Sequence, residues 1–371
     1  MVFLTEIMPL SPFHIAFVLA SLLMTFFIFK NPDASLITYS KKDKGLIISV
    51  LLLAVQSFLH ILFPNPNVKN LSVTTSIMMV VNYFCYLFAF TLRRIPRITI
   101  RTTFYFLKYL TVIILLIEVV YRFTHLVIKS ASFNFYEYKF GSIMYGDTNY
   151  VGIVIAFFIG FMCYLKDRKI LHISKFEILL YFILCILTFS RAAIFGTLGV
   201  FVYFYAFKKF PLTLRFLSIL SLIILVPILF IFLIADGSFL TKIQIYIETW
   251  QYILDIDIWH FFYGNGLESS TLFLSRYGHT LLTLYIIEEG VVGLVLLLVF
   301  LLMNVIGTEY TLYLIIPFIL MGFSYMANIV PYFYLFLGII YNIENYRTDL
   351  FNVSNLEVKR NSSLIRYFAK V

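Results

Sequence analysis

The chain has 371 residues, of which 61% are hydrophobic and only 13% carry charge, and its mean hydropathy is +0.94. A soluble domain of this length does not have this composition, which is typical of a protein that crosses a membrane many times. The net charge of +9 does not indicate a nucleic-acid partner, because basic residues collect in the cytoplasmic loops of membrane proteins. The three cysteines lie inside apolar runs and are interpreted as small buried side chains.

Taken in chain order, the apolar runs predict an all-α fold, a polytopic bundle of about 11 transmembrane helices that forms one integral membrane domain over residues 1–371. The runs are 13–29, 45–63, 71–92, 103–121, 149–165, 176–190, 191–207, 216–234, 279–302, 310–326 and 328–341. The first run is long enough to span a bilayer and has no basic segment before it. It is therefore interpreted as a helix and not as a cleaved signal peptide.

The distribution of basic residues predicts the orientation of these helices. With the N-terminus outside, the cytoplasmic segments hold 20 of the 28 Lys and Arg residues and the outer segments hold seven, while Lys108 lies within a span. This asymmetry follows the positive-inside rule. It places two larger loops, about 122–148 and about 235–278, on the outer side and a tail of about 342–371 in the cytoplasm. Any chemistry is therefore expected at these two loops and the outer helix ends.

The first outer loop closes on Gly146-Asp147-Thr148-Asn149. Asp and Asn both cap helices well, so a turn followed by a helix N-cap is a sufficient structural explanation. The functional interpretation is that Asp147 and Asn149 face an outer cavity and contact a substrate.

A second candidate segment, Thr188-Phe189-Ser190-Arg191, lies where two short spans meet at the outer face. A charge among apolar residues usually marks a pathway or a site, although an arginine at a helix end also reaches the interface. The outer side is the wrong side for an arginine that only sets orientation, which favours a site. Ala192, Ala193 and Gly196 permit tight packing that would hold Arg191 in place.

The second outer loop combines aromatic residues with a tight turn. Trp250 lies in an amphipathic stretch, and Tyr263 precedes Gly264-Asn265-Gly266, whose glycines let the backbone approach a ligand closely. These aromatic rings are candidates for stacking on sugars, and an aromatic belt at the membrane interface explains each of them equally well. The first outer loop adds four more aromatic candidates, Phe133, Phe135, Tyr136 and Tyr138.

The second loop ends in Arg276-Tyr277-Gly278-His279, directly before an apolar run that is interrupted by Glu288 and Glu289. Arginine donates paired hydrogen bonds to phosphate oxygens, and histidine exchanges protons near neutral pH. A histidine that caps the helix is the structural alternative. Arg276 and His279 are one turn apart if the helix starts early.

The helix that follows has a predicted register. At about 100° per residue, His279, Ile286, Gly290 and Gly293 share one face, where the two glycines would let another helix approach closely. The same register places Glu288 on the opposite face, so we do not expect it to be the direct partner of the histidine.

Two other charges fall within a predicted span. Lys108 lies near the inner end and is expected to extend to the interface, whereas Glu118 lies near the outer end and is expected to pair with Arg122. The sequence has no HExxH motif, no paired Cys/His spacing and no P-loop. We therefore expect a metal-independent reaction that uses no cofactor and takes its energy from an activated substrate.

From about 145 to 293 the chain resembles the O-antigen polymerase and O-antigen ligase superfamily of bacterial envelope enzymes. Gly146–Asn149 is similar to the family's GDxN segment, Thr188–Arg191 to its T-x-S-R segment and Gly264–Gly266 to the GxG of its large outer loop. His279-Thr280, nine residues and Gly290-Val291-Val292-Gly293 resemble its His-Asn/Ser/Gln to Gly-x-x-Gly signature. The four segments occur in the family's order.

Two positions qualify this resemblance. Thr280 departs from the usual amide or serine after the histidine, and Glu288 matches a glutamate often found two residues before the first glycine. Membership implies a periplasmic-face glycosyltransferase of the bacterial inner membrane. Its donor and acceptor are oligosaccharides linked to undecaprenyl pyrophosphate, and the lipid pyrophosphate is the leaving group. A protein that regulates chain length is a further candidate partner.

The resemblance also implies residue roles. Arg191 and Arg276 bind the pyrophosphate and His279 exchanges a proton, while Asp147, Asn149, Trp250, Tyr263 and Glu288 are substrate-binding candidates. The motifs do not separate a polymerase, which joins repeat units, from a ligase, which transfers the glycan to lipid A-core. The polymerase is favoured because the chain is compact and the second loop is modest. A flippase for lipid-linked glycans is the alternative of another class, but it would carry charges along a cavity in mid-membrane.

Overall fold

The computed structural model describes residues 40–62, 73–93, 97–125, 142, 148–205, 211, 237–276, 278–347 and 350. Within these ranges 85% of the residues are helical and no strand occurs, which confirms the all-α class for this part of the chain. Several predictions fall on residues outside these ranges. They concern the spans 13–29 and 216–234, the end of the chain, and most of the first outer loop, including Asp147 and the four aromatic candidates of that loop.

The helices and connecting turns have the following bounds. The α-helices are α1 (Lys41–Leu62), α2 (Val73–Phe88), α3 (Arg97–Thr124), α4 (Thr148–Asp167), α5 (Lys175–Ile186), α6 (Arg191–Tyr205), α7 (Gly237–Asp255), α8 (Ile258–Tyr263), α9 (Ser270–Phe273), α10 (Leu281–Leu284), α11 (Gly290–Gly307), α12 (Leu312–Gly322) and α13 (Pro331–Tyr346). A π-helical turn, Tyr285–Glu289, joins α10 to α11, and 3-10 turns lie at Ala89–Arg93, Glu309–Thr311 and Ala327–Ile329.

Four helical segments in the described ranges are long and apolar enough to cross a membrane. They are Lys41–Leu62, Arg97–Thr124, Thr148–Asp167 and Leu281–Gly307. They support the assignment to membrane proteins, whereas the count of about 11 spans stays a prediction. Helix α13 runs to Tyr346, past the boundary at 342 that was predicted for the tail. The region 235–278, predicted as a loop, contains helices α7, α8 and α9.

Helix α4 lies at the centre of the bundle. Every residue from Val151 to Leu165 is buried, whereas α1 and α3 each leave an apolar face exposed. A helix that is apolar and buried on all sides belongs in the interior of a bundle. Phe161 of α4 stacks on Phe336 of α13, with ring centroids 4.5 Å apart. The T-F-S-R segment and α6 pack against α4 as well, because a Cβ atom added to Gly152 of α4 would lie 2.8 Å from the Cβ atoms of both Ser190 and Ala193.

Charged residues gather at one end of the bundle, which we call the charged end. Asp43 of α1 lies 3.3 Å from the Arg93 guanidinium and accepts a hydrogen bond from Tyr341 at 2.9 Å. At the same end Arg168 Nε lies 2.9 Å from Glu344 of α13. The helix ends that carry the family-like segments lie at the other end, because α4 and α13 run away from them towards these ion pairs.

The two charges predicted within a span, Lys108 and Glu118, are both paired in helix α3. Glu118 lies 3.2 Å from Arg122 Nε, which confirms the predicted pair. The side chain of Lys108 is 4% exposed, and its ammonium pairs with Glu177 in the first turn of α5, while its extension to the membrane interface stays a prediction. Periodicity along α3 did not reveal this carboxylate, because it comes from a neighbouring helix. The three cysteines are buried and free, as predicted.

Candidate functional site

His279 lies directly before a helix and not within one. The backbone of Thr280 is extended, with φ −97° and ψ 147°, and its side chain accepts a hydrogen bond from the Thr283 N–H, so α10 begins only at Leu281. A threonine hydroxyl that satisfies a free N–H of the first turn is an effective N-cap. The helix does not start early, so the condition under which Arg276 and His279 would be one helical turn apart is not met.

The apolar segment after His279 is interrupted at Gly290. The turn Tyr285–Glu289 is π-helical, which shifts the phase of the side chains, and Gly290 then adopts φ +70° and ψ 176°. This region of backbone space is essentially restricted to glycine. The predicted single face of His279, Ile286, Gly290 and Gly293 does not form, because it assumed a regular helix throughout.

The Gly264-Asn265-Gly266 turn fills this break. The backbone N–H groups of Asn265 and Gly266 donate to the carbonyl oxygens of Ile287 and Glu288, both at 2.9 Å. A Cβ atom added to Gly264 would lie 2.2 Å from the Glu288 oxygen, and one added to Gly290 would lie 2.3 Å from the Phe262 oxygen. Gly264 and Gly290 thus allow the close contact between this turn and the broken helix, and the neighbour that Gly290 admits is the end of helix α8.

Glu288 ties the second loop to the break. It is fully buried, and its two carboxylate oxygens accept hydrogen bonds from the N–H groups of Glu268 at 2.9 Å and Ser270 at 3.3 Å. Its carboxylate therefore holds the loop backbone, as expected for a residue that is not the partner of His279. A contact between Glu288 and substrate stays a prediction.

Glu289 ties the same break to helix α1. Ser57 donates a hydrogen bond to its carboxylate at 2.8 Å, and His60 Nε2 lies 3.7 Å from the second carboxylate oxygen. The Gln56 amide donates to the backbone oxygens of Glu289 at 3.0 Å and Tyr263 at 3.2 Å. Carbonyl oxygens freed by the irregular turn are thus satisfied by a distant helix, as the buried backbone requires.

Two of the family-like segments meet at Tyr325, which follows the end of α12. The Asn149 amide donates to the Tyr325 hydroxyl at 3.3 Å. The His279 ring lies nearly parallel to the Tyr325 ring, with centroids 5.9 Å apart and an angle of 12° between the planes. We call residues 322–325, together with Asn149 and His279, the Tyr325 corner. One side chain thus contacts both the amide and the imidazole.

The T-F-S-R segment packs one helical turn along α4 from this corner. A Cβ atom added to Gly152 would lie 2.8 Å from Ser190 Cβ and 2.9 Å from Thr188 Oγ1. Gly152 follows Asn149 by three residues, which is about one turn of α4. The chain bends sharply at Phe189, whose φ is +54°, and Arg191 then begins α6 as an exposed residue.

Arg276 is exposed and contacts helix α7. Its guanidinium donates to the Thr241 hydroxyl at 3.1 Å. The neighbouring Ser275 donates to Glu248 from both its N–H and its hydroxyl at 2.8 Å. Partial desolvation acts to raise the pKa of Glu248, but the hydrogen bonds from Gln244 and Ser275, with the charge of Arg276, outweigh it and lower that pKa.

Helix α7 also contacts the corner itself. The Lys242 ammonium donates to the Ser324 hydroxyl, and the Tyr246 hydroxyl donates to the Phe323 carbonyl at 3.0 Å. The sequence analysis missed Tyr325 and Lys242. Tyr325 is one of 27 tyrosines and has no motif around it, and Lys242 was counted only as an outer basic residue. No signal along the chain distinguishes either.

Trp250 and Tyr263 lie on the outer surface of this region. Trp250 is 62% exposed, on the face of α7 opposite to the buried Ile245 and Thr249. Tyr263 is 39% exposed, and its ring lies 4.3 Å from the ring of Trp259, which the sequence analysis did not single out. Stacking of Trp250 and Tyr263 on sugars stays a prediction.

The described residues contain no group of three or more His, Cys, Asp and Glu side chains that could hold a metal ion. No protein-family model matches the sequence, no curated protein is significantly similar to it, and no solved structure is significantly similar to its fold. The resemblance to the O-antigen polymerase and ligase superfamily therefore rests on the four sequence segments, and membership of that family is a proposal.

Proposed function

We propose that this protein is a glycosyltransferase of the O-antigen polymerase type. It joins oligosaccharide repeat units that are carried on undecaprenyl pyrophosphate. The observation that carries the proposal is the meeting of Asn149 and His279 at Tyr325, with the T-F-S-R segment one helical turn away. These segments are far apart in sequence, and a common site is the simplest reason for motifs that resemble one family to lie together.

The proposed reaction is a substitution at the anomeric carbon of the donor sugar. A hydroxyl oxygen of the acceptor forms the new bond to this carbon, and the bond to the pyrophosphate oxygen breaks. The lipid pyrophosphate leaves with the electron pair, so the donor supplies the energy. His279 takes the proton of the acceptor hydroxyl or hydrogen-bonds the leaving group.

Positive charges are available where the leaving group would develop negative charge. Arg191 is exposed at the start of α6, and Arg276 is exposed in the turn between α9 and α10. Lys242 contacts Ser324 within the Tyr325 corner. Preorganised cations that face a developing charge lower the barrier of such reactions, and the planar guanidinium suits phosphate oxygens. Asp147 and Asn149 position the sugar or a catalytic side chain in this proposal.

The proposed location is the bacterial inner membrane, with the Tyr325 corner at the periplasmic face. The excess of Lys and Arg in the segments assigned to the cytoplasm supports this orientation. Arg93 at the end of the 3-10 turn after α2, Arg168 directly after α4 and Lys175 at the start of α5 all lie at the charged end, and their common side supports this orientation. A chain-length regulator would meet the protein at the periplasmic face.

A clean deletion in the bacterium that carries this chain tests the function, with electrophoresis of the surface glycan and sizing of the lipid-linked pool. We expect core that carries a single repeat unit and no ladder, restored by the intact chain. Bare core with long polymer stranded on the lipid carrier would instead identify a ligase. Bare core with single repeats held at the cytoplasmic face would identify a flippase and overturn the enzymatic proposal.

A further inference from the structure

Helix α7 exposes a continuous apolar face. Its members are spaced three or four residues apart, which places them on one side of a helix. They are Leu240, Ile243, Ile247, Trp250 and Leu254, with exposed fractions of 58, 38, 48, 62 and 68%. We call these five residues the α7 stripe. It contains no charged side chain, so its surroundings are expected to be apolar.

The opposite face of α7 fixes the direction of the stripe. Ile245, Thr249 and Tyr252 are buried against the second loop and the broken helix. The Thr249 hydroxyl lies 3.1 Å from the Thr283 hydroxyl, and Tyr252 accepts a hydrogen bond from the Asn265 amide. The helix cannot rotate to bury the stripe without breaking these contacts. The stripe therefore faces away from the part of the protein that the structure describes.

The exposed apolar surface continues from α7 onto α8. Ile258 is 76% exposed, Trp259 63% and Phe262 42%. The end of α8 meets α1, because Gln56 donates to the Tyr263 carbonyl at 3.2 Å. The last turn of α1, a helix long enough to cross the membrane, exposes Leu62 by 55%. The stripe and α8 thus lead to the end of a helix that is long and apolar enough to cross a membrane.

We infer that the α7 stripe and α8 lie in the bilayer interface at the end of the protein that carries the Tyr325 corner. An amphipathic helix with a wide apolar face binds in the plane of that interface, and Trp and Tyr prefer it. A contiguous apolar surface of this size is rare in water. Of the two interpretations of Trp250 and Tyr263, the interfacial belt is then the correct one. The inference does not depend on the proposed enzymatic function.

Tryptophan fluorescence tests this inference directly, because Trp250 and Trp259 are the only tryptophans in the chain and both lie on this surface. The full chain is placed in lipid nanodiscs whose acyl chains carry bromine either near the headgroup or near the methyl end. Trp250→Phe leaves Trp259 as the sole reporter, and Trp259→Phe leaves Trp250. We expect each to lose most of its emission to the shallow bromine, less to the deep bromine and least to aqueous iodide.

A third variant calibrates depth. Phe106→Trp in a chain that lacks both natural tryptophans places the reporter on a residue of α3 that is 65% exposed, well inside a membrane-length helix. Its emission is expected to be quenched most by the deep bromine. This control also shows that the double Phe variant folds and inserts.

Two results would overturn the inference. Quenching of Trp250 and Trp259 by iodide, with no effect of either brominated lipid, would place the stripe in water. Protection from both lipid and iodide, together with disulfide-linked dimers of a Leu254→Cys variant, would show that a second copy of the chain covers it.

Discussion

Tyr325 is the residue on which the candidate site depends most directly. Its hydroxyl accepts the hydrogen bond from Asn149, and its ring lies parallel to His279. His279 itself precedes the helix and is exposed, so its own backbone does little to orient the imidazole. One side chain after the end of α12 therefore contacts two segments that are distant in sequence.

Two substitutions at Tyr325 separate its hydroxyl from its ring. Tyr325→Phe removes one hydrogen bond, which contributes about 0.5–1.5 kcal/mol and corresponds to a two- to tenfold slower polymerisation if positioning is lost. Tyr325→Ala removes the ring as well and is expected to slow polymerisation further. The rate of ladder formation in membranes with supplied lipid-linked repeats measures both.

The matched control is Tyr205→Phe, at the far end of α6, which keeps its ring contact with Phe204. It is expected to leave the rate unchanged. Equal rates for the intact chain, Tyr325→Phe and Tyr325→Ala would show that Tyr325 does not position the site.

The three catalytic candidates give a sharper prediction. Arg191→Ala, Arg276→Ala and His279→Ala are each expected to slow polymerisation by about 10²–10³, the usual cost of losing one group that stabilises developing charge. The amount of protein in the membrane should stay constant. Lysine at either arginine should restore little, since it lacks the planar fork. Full activity of Arg191→Ala would reject the assignment, and Lys44→Ala, an exposed cation at the charged end, serves as the control.

Sequence alone identified the segments of the candidate site but not the contacts between them. The residue types in the Asn149, Arg191 and His279 segments carry chemical meaning by themselves. A role for Tyr325 or Lys242 becomes visible only from the residues that surround each of them in the folded protein. The pairing of Lys108 with Glu177 was missed for the same reason. In each case the informative partner is on another helix.

At the scale of elements, hydrophobic periodicity did not predict the break between α10 and α11. Hydrophobic spacing from 281 onward is compatible with an unbroken helix. What stabilises the break is the supply of distant hydrogen-bond donors, the Asn265 and Gly266 N–H groups and the Gln56 amide. The sequence does contain the two glycines that permit it, but it does not show that Gly264 and Gly290 face each other.

The facing glycines predict a strong effect of small substitutions. Gly264→Ala and Gly290→Ala each place a Cβ atom in a conformation that costs about 1–3 kcal/mol for a non-glycine residue, before the clash with backbone oxygen is added. We expect a clear fall in the thermal unfolding temperature of the purified protein and loss of polymer. Gly45→Ala is the control, because its added Cβ meets only the flexible end of Met303. An unfolding temperature for Gly290→Ala equal to that of the control would contradict the close approach.

At the scale of the whole molecule, composition and charge predicted a helical membrane protein, and the described helices agree with that prediction. The helix boundaries were harder to predict from the sequence. Short helices such as α5 and α12 are stabilised by burial against α4 and α13 and not by their own length. The alternating direction of the helices is visible in where their ends meet. The ion pairs of Asp43 with Arg93 and of Glu344 with Arg168 lie at one end of the bundle, and the Tyr325 corner lies at the other.

This alternation gives a prediction about sidedness. The natural cysteines are completely buried, so a membrane-impermeant maleimide should react only with introduced thiols that water reaches. Asp255→Cys, at the end of α7, should be labelled in intact spheroplasts, whereas His172→Cys, between α4 and α5, should be labelled only after the membrane is opened. Both positions are exposed, so the difference reports the side of the membrane. The reverse pattern would place the Tyr325 corner in the cytoplasm, where the proposed periplasmic donor could not reach it.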